Sequence, residues 1–257
     1  MKIVLIGAGN LATNLGKALL AAGHDILQVY SRTIESASAL GNLVGGAPVA
    51  DISQVRSDAD MYVVSVKDAV MGDLIPVLCK GKEDKVFVHT AGSMPMDMFK
   101  GMAMHYGVLY PMQTFSKGRE VDFSIIPCFI EANDEFSHRQ IETLAHGLSS
   151  KVYELSSERR KYLHLAAVFA CNFVNHCYAV SHDILEKRGI PFEVMLPLID
   201  ETERKVHTLT PKTAQTGPAV RFDQNVIRNQ AALLKENPPL KDLYERMSVN
   251  IHRMAEE

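Results

Sequence analysis

Short apolar runs alternate with stretches of helical spacing from the first residues to about position 155, the rhythm of strands joined by crossover helices. Lys2 to Ile6 is the first run, Asp25 to Tyr30 the second and Ala47 to Val49 a short third. Met61 to Val66 is a fourth, apolar enough to lie at the centre of a sheet. Between the first two, Leu11, Leu15, Ala18 and Leu19 share one helical face over Asn10 to Ala22, and Gly23 ends that helix. Thr33 predicts the cap of a helix reaching about Leu43, and Lys67 and Asp68 open a loop and a further helix. Val86 to His89, Gly107 to Tyr110 and Ser124 to Glu131 read as extended, Glu135 to Leu148 as helical, and Val152 to Leu155 as a last strand. From Ser156 onward the pattern is helical, punctuated by Gly189-Ile190-Pro191, the turn region Thr210 to Pro218 and Pro238-Pro239. These patterns predict an α/β domain with a mostly parallel sheet over 1–155, followed by an all-helical domain over 156–257.

One feature of the first crossover carries chemistry. Gly7-Ala8-Gly9-Asn10-Leu11-Ala12 lies directly after an apolar strand and opens an amphipathic helix, the setting of a Rossmann-type dinucleotide motif. Gly7 permits the tight turn, Gly9 lets a pyrophosphate approach the backbone, and Ala12 keeps the helix close to the strand. The free amides and the dipole of the helix start favour a diphosphate. A protein of this kind that binds NAD places an Asp or Glu at the end of strand two to hold the ribose hydroxyls. Here that place is taken by Ser31-Arg32-Thr33, a guanidinium between two hydroxyls, which complements a ribose 2′-phosphate and favours NADP. The alternative makes Arg32 a solvated residue and Thr33 only a helix cap. Ser65, Val66 and Lys67 end strand four and are expected over the ribose on the same sheet edge.

A nicotinamide supplies the hydride, so the protein supplies orientation and a proton. The strand-five end offers His89, Thr90 and Ser93, and the Pro111 to Phe115 loop offers Gln113; His89 and Thr90 are placed against the cofactor, Ser93 and Gln113 against the substrate. A helix from about Arg159 to Leu185 sets Lys161, His164, Asn172, Asn175 and His176 within roughly a 120° arc at 100° per residue. That stripe either faces a cleft between the domains, where His164 donates a proton and Asn172 orients the substrate, or makes satisfied hydrogen bonds inside a core or a dimer seam. In Thr216 to Asp223, Arg221 either clamps a substrate carboxylate or phosphate or pairs with Asp223 near a helix start. The ten histidines form no metal-ligand motif, and no metal is expected.

Composition narrows the setting. The chain has 257 residues, 47% hydrophobic and 22% charged, enough to bury a core without disulfides or a structural metal. Its 27 basic and 30 acidic residues are well mixed, so neither nucleic acid nor an anionic membrane is an expected partner. Cys79, Cys128, Cys171 and Cys177 have no CxxC spacing and the chain opens on a strand-like run, which fits a reducing cytoplasm. The longest apolar stretch, Tyr162 to Val180, is interrupted by His164, Asn172, Asn175 and His176, costly in hydrocarbon, and reads as a buried helix.

Gly7 to Ala12, Ser31-Arg32-Thr33, His89 to Ser93, Tyr110 to Phe115 and Thr216 to Asp223 together resemble the Rossmann-like family with a carboxy-terminal domain of unknown function 2520. The resemblance covers nearly the whole chain, and the amino-terminal half is also similar to pyrroline-5-carboxylate reductases and to NADP-linked, deazaflavin-dependent oxidoreductases. It implies an NADP-binding domain, a helical domain that mediates homodimerisation, and an oxidoreductase of unassigned substrate. The Gly/Ser/Thr-rich signature of pyrroline-5-carboxylate reductases is missing between Ser156 and Glu257, so their substrate is not carried over. The expected activity is hydride transfer between NADP(H) and a small polar metabolite, a keto or hydroxy acid or an imine, bound between the domains. Two alternatives stand beside it: a non-catalytic NADP-binding sensor, and hydride exchange between NADP and a deazaflavin or flavin. The second would gain from an apolar cleft around Met94, Met96, Met98, Met102 and Met104, residues that otherwise fill a core.

Overall fold

The computed structural model describes residues 1–256. Eight strands form one sheet: β1 (Lys2–Ile6), β2 (Asp25–Tyr30), β3 (Ala47–Val49), β4 (Met61–Val64), β5 (Val86–His89), β6 (His105–Pro111), β7 (Cys128–Ala132) and β8 (Val152–Glu154). Their order is β3-β2-β1-β4-β5-β6-β7-β8, and every neighbouring pair is parallel except β6 and β7. The chain runs outward from β1 in one direction and then restarts beside it at β4, so the order reverses between those two strands. In an open α/β sheet that is where a crevice opens at the carboxyl ends of the strands.

Alternation along the strands builds a core on each face. Ile3, Leu5, Val29, Met61, Val63, Val86 and Val88 point to one side, with Ala12, Leu15 and Leu19 of α1 (Asn10–Ala21) and Ile141, Leu144 and Leu148 of α4 (Glu135–Leu148). Val4, Ile6, Tyr62, Val64 and Phe87 point to the other, with Met71, Ile75 and Leu78 of α3 (Asp68–Cys79). Thr33 caps α2 (Ile34–Val44), its hydroxyl accepting from the Ser36 amide. Ser124 to Glu131 is not one strand: Phe123–Ile125 is a 3₁₀ turn, held by the Asp122 carboxylate, and pairing starts only at Cys128.

After β8 come α5 (Ser157–Ala167), a π-helical turn (Val168–Phe173), α6 (Val174–Glu186), α7 (Leu196–Thr208), α8 (Pro211–Ala214), α9 (Gln224–Ala232) and α10 (Pro238–Glu256). The compact units are Met1–Asn175 and the helices from His176 on, whereas the pattern of strands and helices puts the boundary at 155. The difference has a cause. Arg160 of α5, only 1% exposed, gives Nη1 to Glu131 Oε2 of β7 at 2.7 Å and Nη2 to the Met94 carbonyl at 2.6 Å. Ser157 gives its amide and hydroxyl to the same Glu131 carboxylate, at 2.8 and 2.6 Å. These bonds fix α5 to the sheet unit.

The long helix departs from expectation in one respect. Ser157–Glu186 is long and apolar enough to cross a membrane by length and composition, and none of its apolar window is buried. Tyr162 is 71% and Phe169 60% exposed, with Leu165 and Phe173 also open, so the buried helix predicted over Tyr162 to Val180 is corrected to an exposed one. Periodicity identifies an apolar face but not what covers it. Among the described residues from His176 on, only Ala219 and Ala231 are buried hydrophobics.

Candidate functional site

The crevice at the order reversal is built around Gly7. Its amide donates to the Tyr30 carbonyl at 2.8 Å, and the Ser65 amide donates to the Ile6 carbonyl at 2.8 Å, so the ends of β1, β2 and β4 are drawn together. Gly7 has φ +117°, and a Cβ there would lie 2.1 Å from the Ser65 carbonyl oxygen. Both facts demand glycine. Gly9 is the extended N-cap of α1 with open space where a Cβ would stand. The first amides of that helix, at Asn10, Leu11 and Ala12, have no intrahelical acceptor and face its positive end.

A cavity of about 480 Å³ opens here, lined by Gly7, Gly9, Ser31, Arg32, Ser65, Val66 and Lys67 of the predicted set, and by Ser36, Val70, Asp73 and Leu74 in addition. Arg32 is exposed and enters no ion pair among the described residues. Thr33 does not line the cavity; its hydroxyl caps α2 and donates to Ser36 Oγ at 2.9 Å, and it is Ser36 that reaches the cavity wall. Ser36 sits one helical turn beyond Arg32, a spacing that the sequence displays. The residues fit a phosphorylated dinucleotide: bare amides and a glycine cradle for the diphosphate, an unpaired guanidinium with two hydroxyls beside it, and an apolar wall for a flat ring.

His89 and Thr90 take other roles. His89 is 0% exposed; its Nδ1 accepts from the Ala91 amide at 3.2 Å, which leaves Nε2–H to donate to the Pro95 carbonyl at 3.2 Å. Burial, with the Arg160 charge adding to it, pulls its pKa down to about 4, so the ring is neutral and pins the turn after β5. Thr90 Oγ1 donates to the Val64 carbonyl at 3.5 Å. The expectation that the His89 side chain holds cofactor is corrected accordingly, since both its ring nitrogens are committed to the backbone, whereas the Thr90 hydroxyl keeps its acceptor capacity. Ser93 donates to Asp68 at the start of α3.

A second cavity, of about 580 Å³, lies where β6 ends. Because β1, β4, β5 and β6 are parallel, it opens on the same sheet edge as the first. Tyr110, Gln113, Thr114, His164 and Asn172 supply its polar groups, and Met112, Phe115, Leu163, Ala167 and Cys171 most of the rest. Tyr110 Oη and His164 Nδ1 are 3.0 Å apart. The structure thus brings Gln113, His164 and Asn172 together and adds Tyr110, which in sequence reads only as the end of an extended run. Lys161, Asn175 and His176 do not join them. For Asn175 and His176 the cause is the wider i→i+5 turn at Val168–Phe173, which shifts the phase of the residues after it; Lys161 precedes that turn and is exposed on α5.

Arg221 is exposed and has no ion pair with Asp223; instead Asp223 caps α9, accepting from the Val226 amide at 3.3 Å. Phe222 adopts φ 49° and stacks on His252 at 4.5 Å, which shapes that turn. Met94, Met96, Met98 and Met102 pack against the core on the α3 face and Met104 is exposed, so they form no apolar cleft. The three-residue group His182, Asp183 and Glu186 on α6 is exposed.

Comparison with known proteins matches residues 2–92 to the family described as NADP oxidoreductase, coenzyme F420-dependent, and residues 126–251 to the domain of unknown function DUF2520. No curated protein matches the chain. Among solved structures, an imine reductase from Myxococcus stipitatus in complex with NADP+ is similar at TM-score 0.71 and 17% identity, covering 100% of this chain and 94% of that one. A pyrroline-5-carboxylate reductase from Coxiella burnetii is similar at TM-score 0.58 and 18% identity, covering 99% and 97%. Those two likenesses show a shared fold. A Bacteroides fragilis protein described as a "putative NADP oxidoreductase" is 54% identical over 98% of both chains, with TM-score 0.95. The chain belongs to the same family as that protein, an NADP oxidoreductase-type domain joined to a DUF2520 domain.

Proposed function

We propose that this chain is an NADP(H)-dependent oxidoreductase that moves a hydride to or from a small C=O or C=N compound, a keto or hydroxy acid or an imine, held in the cavity of Tyr110, Gln113, His164 and Asn172. The observation that carries the reading is the first cavity, which joins the Gly7–Gly9 turn to Arg32, Ser31 and Ser36 with no carboxylate at the end of β2. The α1 amides at Asn10, Leu11 and Ala12 face the diphosphate, and Arg32 with its flanking hydroxyls selects the 2′-phosphate through charge-assisted hydrogen bonds. Ser65, Val66 and Lys67 lie along the ribose. The nicotinamide, when bound, supplies or accepts the hydride. Gln113 and Asn172 orient the reacting group by hydrogen bonds, Ser93 lies at the edge of the turn that Gly92 begins, and the apolar wall excludes water.

Arg221, exposed and without an ion pair among the described residues, keeps its guanidinium available to an anion. The protein acts as a homodimer through its helical part. The exposed Tyr162, Leu165, Phe169 and Phe173 and the scarcity of buried side chains beyond His176 support this, since apolar patches of that kind mark interfaces. Four free thiols fit a cytoplasmic location. Screening keto acids, aldehydes and imines for consumption of NADPH tests the activity, and light scattering tests the dimer. Tight NADPH binding with no consumption across the screen would replace the enzyme by a sensor, and a monomer in solution would remove the dimer.

A further inference from the structure

We infer that Tyr110 is the proton donor of this reaction and that His164 keeps it ready to donate, with His164 Nδ1–H directed at Tyr110 Oη and the tyrosine proton left free for the substrate. The inference rests on the reductase reading above and names a group to which the sequence assigns no role. Tyr110 is the last residue but one of β6, His164 lies in the last turn of α5, and their rings meet edge to face at 6.0 Å, with Oη and Nδ1 3.0 Å apart. Both line the same cavity. The imidazole also packs against Gly92: a Cβ there would come within 2.5 Å of His164 Nδ1, so glycine is what lets the ring lie against the turn after β5. The Arg160–Glu131–Ser157 bonds set the position of α5 from one turn away.

A phenol has one proton. If the bond to His164 consumes it, none is left for a ligand; if Nδ1 carries a hydrogen, Oη accepts and its own proton is available. Burial holds the Tyr110 hydroxyl above the ordinary phenol range, with the Arg160 guanidinium acting the other way, so the group keeps its proton at neutral pH. Arg160 and His164, both on α5, are the charged and titratable groups that face it, and its β7 neighbour Phe129 is uncharged.

In the reductive direction a bound reduced nicotinamide would supply a hydride, with its electron pair, to the substrate carbon and be oxidised thereby. The π pair of the C=O or C=N bond moves onto the heteroatom. That atom bonds to the Tyr110 proton as Oη–H breaks, giving an alcohol or an amine. The tyrosinate is reprotonated by a proton from solvent, relayed as His164 Nε2 takes a proton from hydronium while Nδ1 gives up its own, and exchange with water returns the imidazole to its starting tautomer. The net change is addition of one hydride and one proton to the substrate.

Two measurements test the assignment. Protein labelled with ¹⁵N in its histidine rings reports which ring nitrogen of His164 carries hydrogen, the signal being identified by its loss in His164→Gln or, should that variant not fold, by its shift in Tyr110→Phe. A hydrogen on Nδ1 whose resonance moves in Tyr110→Phe is expected; a bare Nδ1 accepting from the tyrosine overturns the inference. With NADPH and a panel of cyclic imines, keto acids and aldehydes, Tyr110→Phe should lose about 100-fold or more in kcat. NADPH binding should stay unchanged in that variant. Undiminished turnover in Tyr110→Phe overturns the donor role. NADPH binding with no turnover of any panel member also overturns it while leaving the cofactor reading intact, and failure of wild type to bind NADPH sinks that reading instead.

Discussion

Replacing Glu131 with alanine is expected to destabilise the sheet unit by about 3–5 kcal/mol, the usual consequence of leaving a buried charge without its partner. The structure supplies the terms. Arg160 is buried, its Nη1 rests on Glu131 Oε2, and the same carboxylate takes the amide and hydroxyl of Ser157. Alanine removes all three bonds, leaves the guanidinium with the Met94 carbonyl and Ser157 Oγ, and leaves Arg160 Nε, already without a partner, still unsatisfied. Glu131→Gln keeps the shape but not the charge and should cost less. The double replacement Glu131→Leu with Arg160→Met removes both charges and should return to within about 1–2 kcal/mol of wild type. Urea unfolding followed by circular dichroism at neutral pH reads these differences. A Glu131→Ala variant within about 1 kcal/mol of wild type would refute the reasoning, as would a double variant no better than the single one.

Two further outcomes follow from the turn after β5. His89 has its pKa lowered from 6.5 to about 4 in the folded chain, so between those values the unfolded state binds more protons and stability rises with pH. Its contribution, about 3 kcal/mol, is complete above pH 6.5 and lost as pH falls towards 4; urea midpoints across that range should climb in wild type and climb less in His89→Gln, and parallel curves would exclude the effect. Gly92→Ala should expel the His164 ring from its place, break its bond to Tyr110 and cost about 1–3 kcal/mol from overpacking. Thermal unfolding together with the His164 ring signals checks this, and an unshifted ring with unchanged stability would contradict it.

The sheet was readable in the sequence because its signals are local. A buried parallel strand must be a short apolar run, and Lys2–Ile6, Asp25–Tyr30, Ala47–Val49 and Val86–His89 have the predicted limits. The glycine turn was readable for the same reason: its requirement for φ above zero and a close carbonyl falls on Gly7 itself. What escaped depends on residues distant in sequence. Glu131 and Arg160 are 29 positions apart, and a charged residue in a half-polar strand or a helix gives no sign that it will be buried. Tyr110 reads only as the end of an extended run until His164 is brought against it, and His89 looks like a site residue until its two ring nitrogens are found on backbone groups. The π-helical turn leaves no periodic trace, and an apolar helical face reads alike whether a core or a second copy covers it. Ser36 was within reach, since a hydroxyl one turn after Arg32 falls on the same side of a helix that Thr33 caps.

Calorimetric titration of the purified protein with NADPH and with NADH tests the cofactor reading most directly. NADPH should bind more tightly than NADH by about tenfold or more, and Arg32→Ala should abolish that preference while sparing NADH, as expected for loss of a charge-assisted contact to the 2′-phosphate. No heat of binding for either coenzyme, or equal affinities unaffected by Arg32→Ala, would contradict it.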